Sequence, residues 1–142
     1  MPFTLRSELD AHPCNLCSGE ALLIDTVGEL MSLYAVSDAV FVGGSLVATG
    51  GHNILEPVSL RVPVLFGPHM NNFREAAALI LDCGGGMQVQ NGGELASSIG
   101  VLLDDEGKRR TMGENGARLM EKNSGSTKLH LEVVEELLGM AK

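Results

Sequence analysis

The stretch Phe41–Pro68, FVGGSLVATGGHNILEPVSLRVPVLFGP, decides the fold. Ala39 to Val42 is apolar without a break, the pattern of a strand covered on both faces. Gly43, Gly44 and Ser45 follow, and glycines there let the backbone turn sharply and let a ligand approach. Gly50-Gly51 precedes His52-Asn53, where Asn53 is a good helix start and Glu56 lies three residues on. Pro57 falls in the first turn of that helix, where its missing N–H costs little. Pro63 disfavours helix before it, so the helix ends near Arg61 and Pro63 to Phe66 reads as a second strand, stopped by Gly67-Pro68. Strand, glycine loop, short helix and strand make a Rossmann-like α/β unit with a parallel sheet flanked by helices.

A loop of this kind is a common anion holder, because unpaired N–H groups at a helix N-terminus and the helix dipole both favour negative charge. The N–H groups from Gly51 to Asn53, the Gly44 N–H and the Ser45 hydroxyl are the candidate donors. Asn53 and Glu56 read equally as a capping box, each side chain satisfying a backbone donor of the other, or as a ligand pair.

The run GGSLVATGGHNILEPVSLRVPVLFGPHMNNFREAA, Gly43 to Ala77, resembles the C-terminal domain of the 3-deoxy-D-manno-octulosonic acid (Kdo) transferases. The likeness extends upstream through LLIDTVGELMSLYAVSDAVFVGGS and downstream through LLDDEGKRRTMGENGARLM, covering roughly Leu22 to Leu138. Where the family's pattern holds a glycine before the Pro-Val strand, this chain has Arg61.

The resemblance implies the second half of a GT-B glycosyltransferase: inverting, metal-independent and needing no cofactor. It implies the donor CMP-Kdo, a lipid A precursor as acceptor, and a place in lipopolysaccharide biosynthesis at the cytoplasmic face of the bacterial inner membrane. It assigns donor binding to Gly43, Gly44, Ser45, Gly50, Gly51, His52, Asn53 and Glu56, with Glu56 resembling the carboxylate that accepts hydrogen bonds from ribose hydroxyls. Thr26, Gly28, His69 and Arg74 form a second set: the first two beside the nucleoside, His69 facing the cleft, Arg74 toward the donor's carboxylate. No catalytic residue is assigned to this chain. The general base, acceptor site and membrane-facing surface are expected in an N-terminal domain absent from it, and residues 1–142 read as one truncated domain, soluble by itself and inactive alone. Two other readings stand beside this one: a stand-alone nucleotide-binding module, and a GT-B domain taking a UDP-sugar.

Composition narrows the classes. A net charge of −8 argues against nucleic acid, which needs a basic face. It also gives no attraction to an anionic membrane, and no apolar run approaches the ~20 residues of a membrane span. Hydrophobic content of 44% with 20% charged residues fits a globular domain.

The remaining chain supports the same architecture. Phe3 to Arg6 reads as a short strand and Ser7 to Glu20 as loop. His12, Cys14 and Cys17 within it could be part of a zinc site, but no second Cys-x-x-Cys or His pair completes one. Ala21 to Asp25 is a strand. Thr26 and Glu29 then read as a Thr-x-x-Glu box, leaving the backbone near Gly28 to line a pocket. Asn71 or Asn72 is expected to cap a helix running to Cys83 with Ala76, Leu79, Ile80 and Cys83 inward. Arg74 is free for a carboxylate or pairs with Glu75 or Asp82. Glu94 to Leu103 is amphipathic, with Leu95, Ile99 and Leu102 inward. Met112, Ala117, Leu119 and Met120 are core candidates, Ser124-Gly125-Ser126 breaks the pattern, and a last helix spans 126–140.

Overall fold

The structure is a computed structural model that describes residues 2–9 and 18–137, with side chains up to residue 123. The expected site of His12, Cys14 and Cys17 lies outside the described residues. Where the sequence reads as one domain, the chain divides into two compact units, Met1–Leu33 and Tyr34–Lys142.

In the first unit, β1 (Phe3–Leu5) pairs in parallel with β2 (Ala21–Leu23), Phe3 opposite Ala21. Arg6 does not extend β1. It opens α1 (Arg6–Leu9), so the expected loop at Ser7 begins as a helical turn. Ser7 donates from its backbone N–H and its hydroxyl to the Asp25 carboxylate, at 3.0 and 2.6 Å. Those two hydrogen bonds hold Asp25 below the usual carboxylate range. Arg6 pairs with Glu29 at 2.8 Å. The helix α2 (Leu30–Ala35) straddles the division between the units.

The second unit is built on a parallel sheet in the order β3 (Val40–Val42), β4 (Val64–Phe66), β5 (Gly86–Gln88). Val40 faces Val64, and Val64 faces Gly86. Each crossover carries a helix, α3 (Leu55–Ser59) after β3 and α4 (Arg74–Asp82) after β4. Strand periodicity sorts the core into two layers. Val40, Val42, Val64 and Phe66 meet Val58 of α3 and Ala77 and Ile80 of α4 on one face. Leu65 points the other way, to Val89, to Leu102 of α5 (Gly92–Asp104) and to Met112 of α6 (Glu106–Leu137). Val64, Leu65 and Phe66 are at most 1% exposed, so β4 is the central strand, covered on both faces.

The α6 helix serves both layers, giving Met112 to one and Leu119 and Met120 to the other. It comes close because it carries glycine at the crossing: a Cβ on Gly113 would lie 2.0 Å from the Arg61 carbonyl oxygen. The expected break at Ser124-Gly125-Ser126 is absent, and the helix runs through it to Leu137 rather than restarting at 126. Glycine and serine lower helix propensity by at most about 1 kcal/mol each, too little to end a long helix.

Two helix ends show why the sequence folds as it does. Asn91 caps α5 through Oδ1, which accepts the Glu94 N–H at 3.0 Å, while Glu94 accepts the Gln90 N–H. At the end of α3 the Val62 N–H reaches the Pro57 carbonyl and the Arg61 N–H reaches the Val58 carbonyl. This is a Schellman turn, with Arg61 in the left-handed position at φ +62° that glycine ordinarily fills. Arg61 therefore makes the turn that a glycine would make.

A candidate nucleotide-sugar site at the sheet edge

The loops leaving β3 and β4 lie side by side at the C-terminal edge of the sheet, where ligands of doubly wound folds bind. Ser45 joins them. Its hydroxyl donates to the Val42 carbonyl at 2.5 Å and accepts the Gly67 N–H at 2.8 Å, while its own carbonyl accepts the His69 N–H at 2.9 Å. Ser45 is 0% exposed, so its hydroxyl holds the two loops together and does not reach a ligand.

The glycine loop closes on itself. The Gly44 carbonyl accepts the Gly51 N–H at 2.9 Å and the Thr49 hydroxyl at 2.8 Å. The Gly51 N–H is thereby withdrawn from the set of anion donors. Among the described residues, the backbone N–H groups of His52 and Asn53 have no intramolecular acceptor and replace it. Gly50 and Gly51 sit at φ +97° and +72°. A Cβ on Gly50 would meet the Asn72 amide at 2.6 Å, and one on Gly51 the Met70 sulfur at 2.4 Å. Only glycine combines that backbone with that approach.

The start of α3 differs from a capping box. Asn53 Oδ1 accepts the Leu55 N–H at 3.0 Å, and Asn53 Nδ2 donates to Glu56 Oε1 at 3.0 Å. The two side chains bind each other instead of exchanging backbone bonds. With five residues, α3 also supplies less dipole than a long helix, leaving local N–H groups as the main anion donors. Glu56 is half-buried beside Tyr34, whose phenol is pushed above its ordinary value by burial first and the Glu56 charge second.

His52 is exposed over Gly44, its ring 3.5 Å from where a Cβ there would stand. His69 is half-buried, its carbonyl oxygen 3.4 Å from the Cβ position of Gly51. Among the described residues neither imidazole has a hydrogen-bond partner. Beyond β4, a 3₁₀ turn at Asn71–Phe73 leads into α4. Neither Asn71 nor Asn72 caps it with a side chain. Asn72 instead donates its N–H to the Gly50 carbonyl at 3.1 Å, pinning one loop to the other. A cleft of about 260 Å³ opens here, with Phe66, Met70 and Ala77 in its wall and Arg74 and Gln88 also lining it. Arg74 is exposed and makes no ion pair with Glu75 or Asp82 among the described residues.

No protein-family model matches the chain. Curated relatives do. The 3-deoxy-D-manno-octulosonic acid transferase of Haemophilus influenzae is 35% identical over 120 residues, covering 84% of this chain and 28% of that protein. The Chlamydia muridarum transferase is 36% identical over 117 residues, covering 82% of this chain and 27% of its own. The crystal structure of the C-terminal CMP-Kdo binding domain of WaaA from Acinetobacter baumannii superposes with a TM-score of 0.75 at 28% identity, covering 84% of this chain and 61% of that one. The chain is a Kdo transferase homologue. It spans little more than a quarter of the length of these relatives.

In this homologue the sequence-predicted residues divide three ways. Gly43, Gly44, Gly50, Gly51, His52, Asn53, Glu56 and His69 are gathered on the two loops and the α3 start, with Arg74 one turn further on. Ser45 is on the same loop but faces inward. Thr26 and Gly28 belong to the first unit, where the Thr26 hydroxyl donates to the Glu29 carboxylate and Gly28 takes φ +93°. Sequence reasoning missed Thr49, Met70, Asn72 and Tyr34. The signal for Met70 was an apolar residue inside the polar run His69 to Asn72; Tyr34 carried none, since its partner is 22 positions away.

Proposed function

We propose that this chain is the donor-binding part of a Kdo transferase, a glycosyltransferase that moves Kdo from CMP-Kdo to a lipid A precursor. The observation that carries the reading is the match in fold, at 28% identity, to a domain described as binding CMP-Kdo. No helix of the described residues is long and apolar enough to cross a membrane. The acceptor, the partner domain and action at the cytoplasmic face of the inner membrane are proposed from the Kdo transferase relatives.

The chemistry follows from the residues. As the glycosidic bond to the sugar breaks, CMP departs and negative charge grows on its phosphate. The free N–H groups of His52 and Asn53 and the His52 ring meet that charge, preorganised by the Gly44–Gly51 closure. Glu56 accepts hydrogen bonds from the ribose hydroxyls. Arg74, without an ion pair among the described residues, binds the carboxylate of the sugar acid, a match of planar fork to planar acceptor. His69 faces the donor from the second loop. The general base comes from outside this chain, so the chain alone holds the donor without turning it over.

The test is calorimetric titration of the chain with CMP-Kdo, CMP and a UDP-sugar. The reading predicts binding of the cytidine ligands and much weaker binding of the UDP-sugar. Equal or tighter binding of the UDP-sugar would replace the donor assignment.

A further inference from the structure

We propose that Asn53 is a positioning residue that aims the Glu56 carboxylate at the ribose diol of the nucleotide, rather than a ligand contact itself. The inference rests on the donor-site reading above.

The geometry fixes which end of the Asn53 amide is which. Oδ1 accepts the Leu55 N–H at 3.0 Å, and only the oxygen can do so. Nδ2 must then point the other way, where it meets Glu56 Oε1 at 3.0 Å. The amide thus has one donor and its acceptor oxygen engaged inside the protein. The carboxylate, by contrast, keeps Oε2 without a hydrogen-bond donor among the described residues. A carboxylate is acceptor-only, so a pinned Oε1 and an open Oε2 select ligands that bring hydroxyl donors. A ribonucleotide brings two neighbouring hydroxyls; a dideoxynucleotide brings none. Fixing the carboxylate beforehand lowers the ordering cost at binding. On this account Asn53 sets how strongly the site tells ribose from its deoxy forms, although it touches neither hydroxyl.

The experiment compares the affinities of CMP and 2′,3′-dideoxycytidine monophosphate for the chain and two variants. Asn53→Asp keeps an acceptor for the Leu55 N–H, so α3 still starts, but replaces the amide donor with a charge that repels Glu56. Glu56→Ala removes the carboxylate. The unaltered chain is expected to prefer CMP by about tenfold or more, the weight of hydrogen bonds to a charged acceptor. Both variants are expected to bring the ratio close to one; the dideoxynucleotide affinity changes by no more than about twofold in Glu56→Ala, while the charge added in Asn53→Asp weakens both nucleotides in common and leaves the ratio as the readout. If Glu56→Ala lowers the ratio and Asn53→Asp does not, the positioning role is overturned while the donor site stands. If Glu56→Ala leaves the ratio unchanged, or the chain shows no preference for CMP, the ribose role of Glu56 falls, and the inference with it. A loss shared equally by both nucleotides in Asn53→Asp, with the ratio kept, would make Asn53 a helix-start residue only and would overturn the proposal.

Discussion

The Ser45 hydroxyl takes the Gly67 N–H at 2.8 Å, tying the loop after β3 to the loop after β4. The contact is as close as backbone allows: a Cβ on Gly67 would lie 2.2 Å from the Ser45 carbonyl oxygen. Ser45→Ala leaves the buried Gly67 N–H without its acceptor and is expected to cost about 1–3 kcal/mol. A urea midpoint lowered at unchanged slope would report it. A midpoint within error of the parent would mean the two loops hold together without the hydroxyl.

Arg61 makes the opposite prediction. Its left-handed backbone costs an L-residue roughly 1–2 kcal/mol, whereas glycine adopts it freely. Its ion pair with Glu121 at 3.5 Å is two-thirds exposed on both sides and contributes little. Arg61→Gly is therefore expected to leave the chain as stable or up to about 1 kcal/mol more stable, after the added freedom of glycine in the unfolded chain is subtracted. Thermal melting decides it, and a clear loss of stability would show that the side chain contributes more than the turn geometry allows.

Tyr34 offers a spectroscopic handle, because the chain has one tyrosine and no tryptophan. Burial and the Glu56 charge both favour the neutral phenol, raising its folded pKa above the ordinary 10.0. The stability this brings is fully present below pH 10.0 and is lost as pH rises from there through the folded value. Tyrosinate absorbance should titrate above pH 10.0 in the folded chain. In Glu56→Gln it should move part of the way back, since burial is the larger cause. An unshifted titration in the parent would separate Tyr34 from Glu56.

For the ligand, Glu56→Ala is expected to weaken CMP binding by about 1–3 kcal/mol, the range for losing hydrogen bonds to a charged group. His52→Ala should weaken it less if, as proposed, backbone N–H groups carry most of the phosphate interaction. A larger loss at His52 than at Glu56, measured by calorimetry, would make the imidazole the principal phosphate anchor.

Much of the second unit was legible in the sequence because its signals are local. Val40 to Val42 is an unbroken apolar run stopped by Gly43, Val64 to Phe66 is one set between Pro63 and Gly67, and Pro57 marks the first turn of α3. What was not legible depended on distant partners. Nothing near Ser45 says that its hydroxyl turns toward Gly67, 22 residues on, and nothing near Gly51 says that its N–H is taken by Gly44. The Asn53–Glu56 spacing was visible, but a spacing of three fits a capping box and a side-chain pair alike, and only the amide orientation separates them. Ser124-Gly125-Ser126 misled because weak helix formers were read as a stop without a proline or a turn partner to enforce it.

The central claim is that the loops after β3 and β4 hold a cytidine nucleotide, and a backbone-amide NMR titration of the 142-residue chain with CMP, against UMP as control, tests it most directly. The account predicts shifts concentrated at Gly43–Gly44, His52–Glu56 and His69, larger for CMP than for UMP. A well-dispersed spectrum that CMP leaves unmoved, or shifts confined to residues away from these loops, would contradict it.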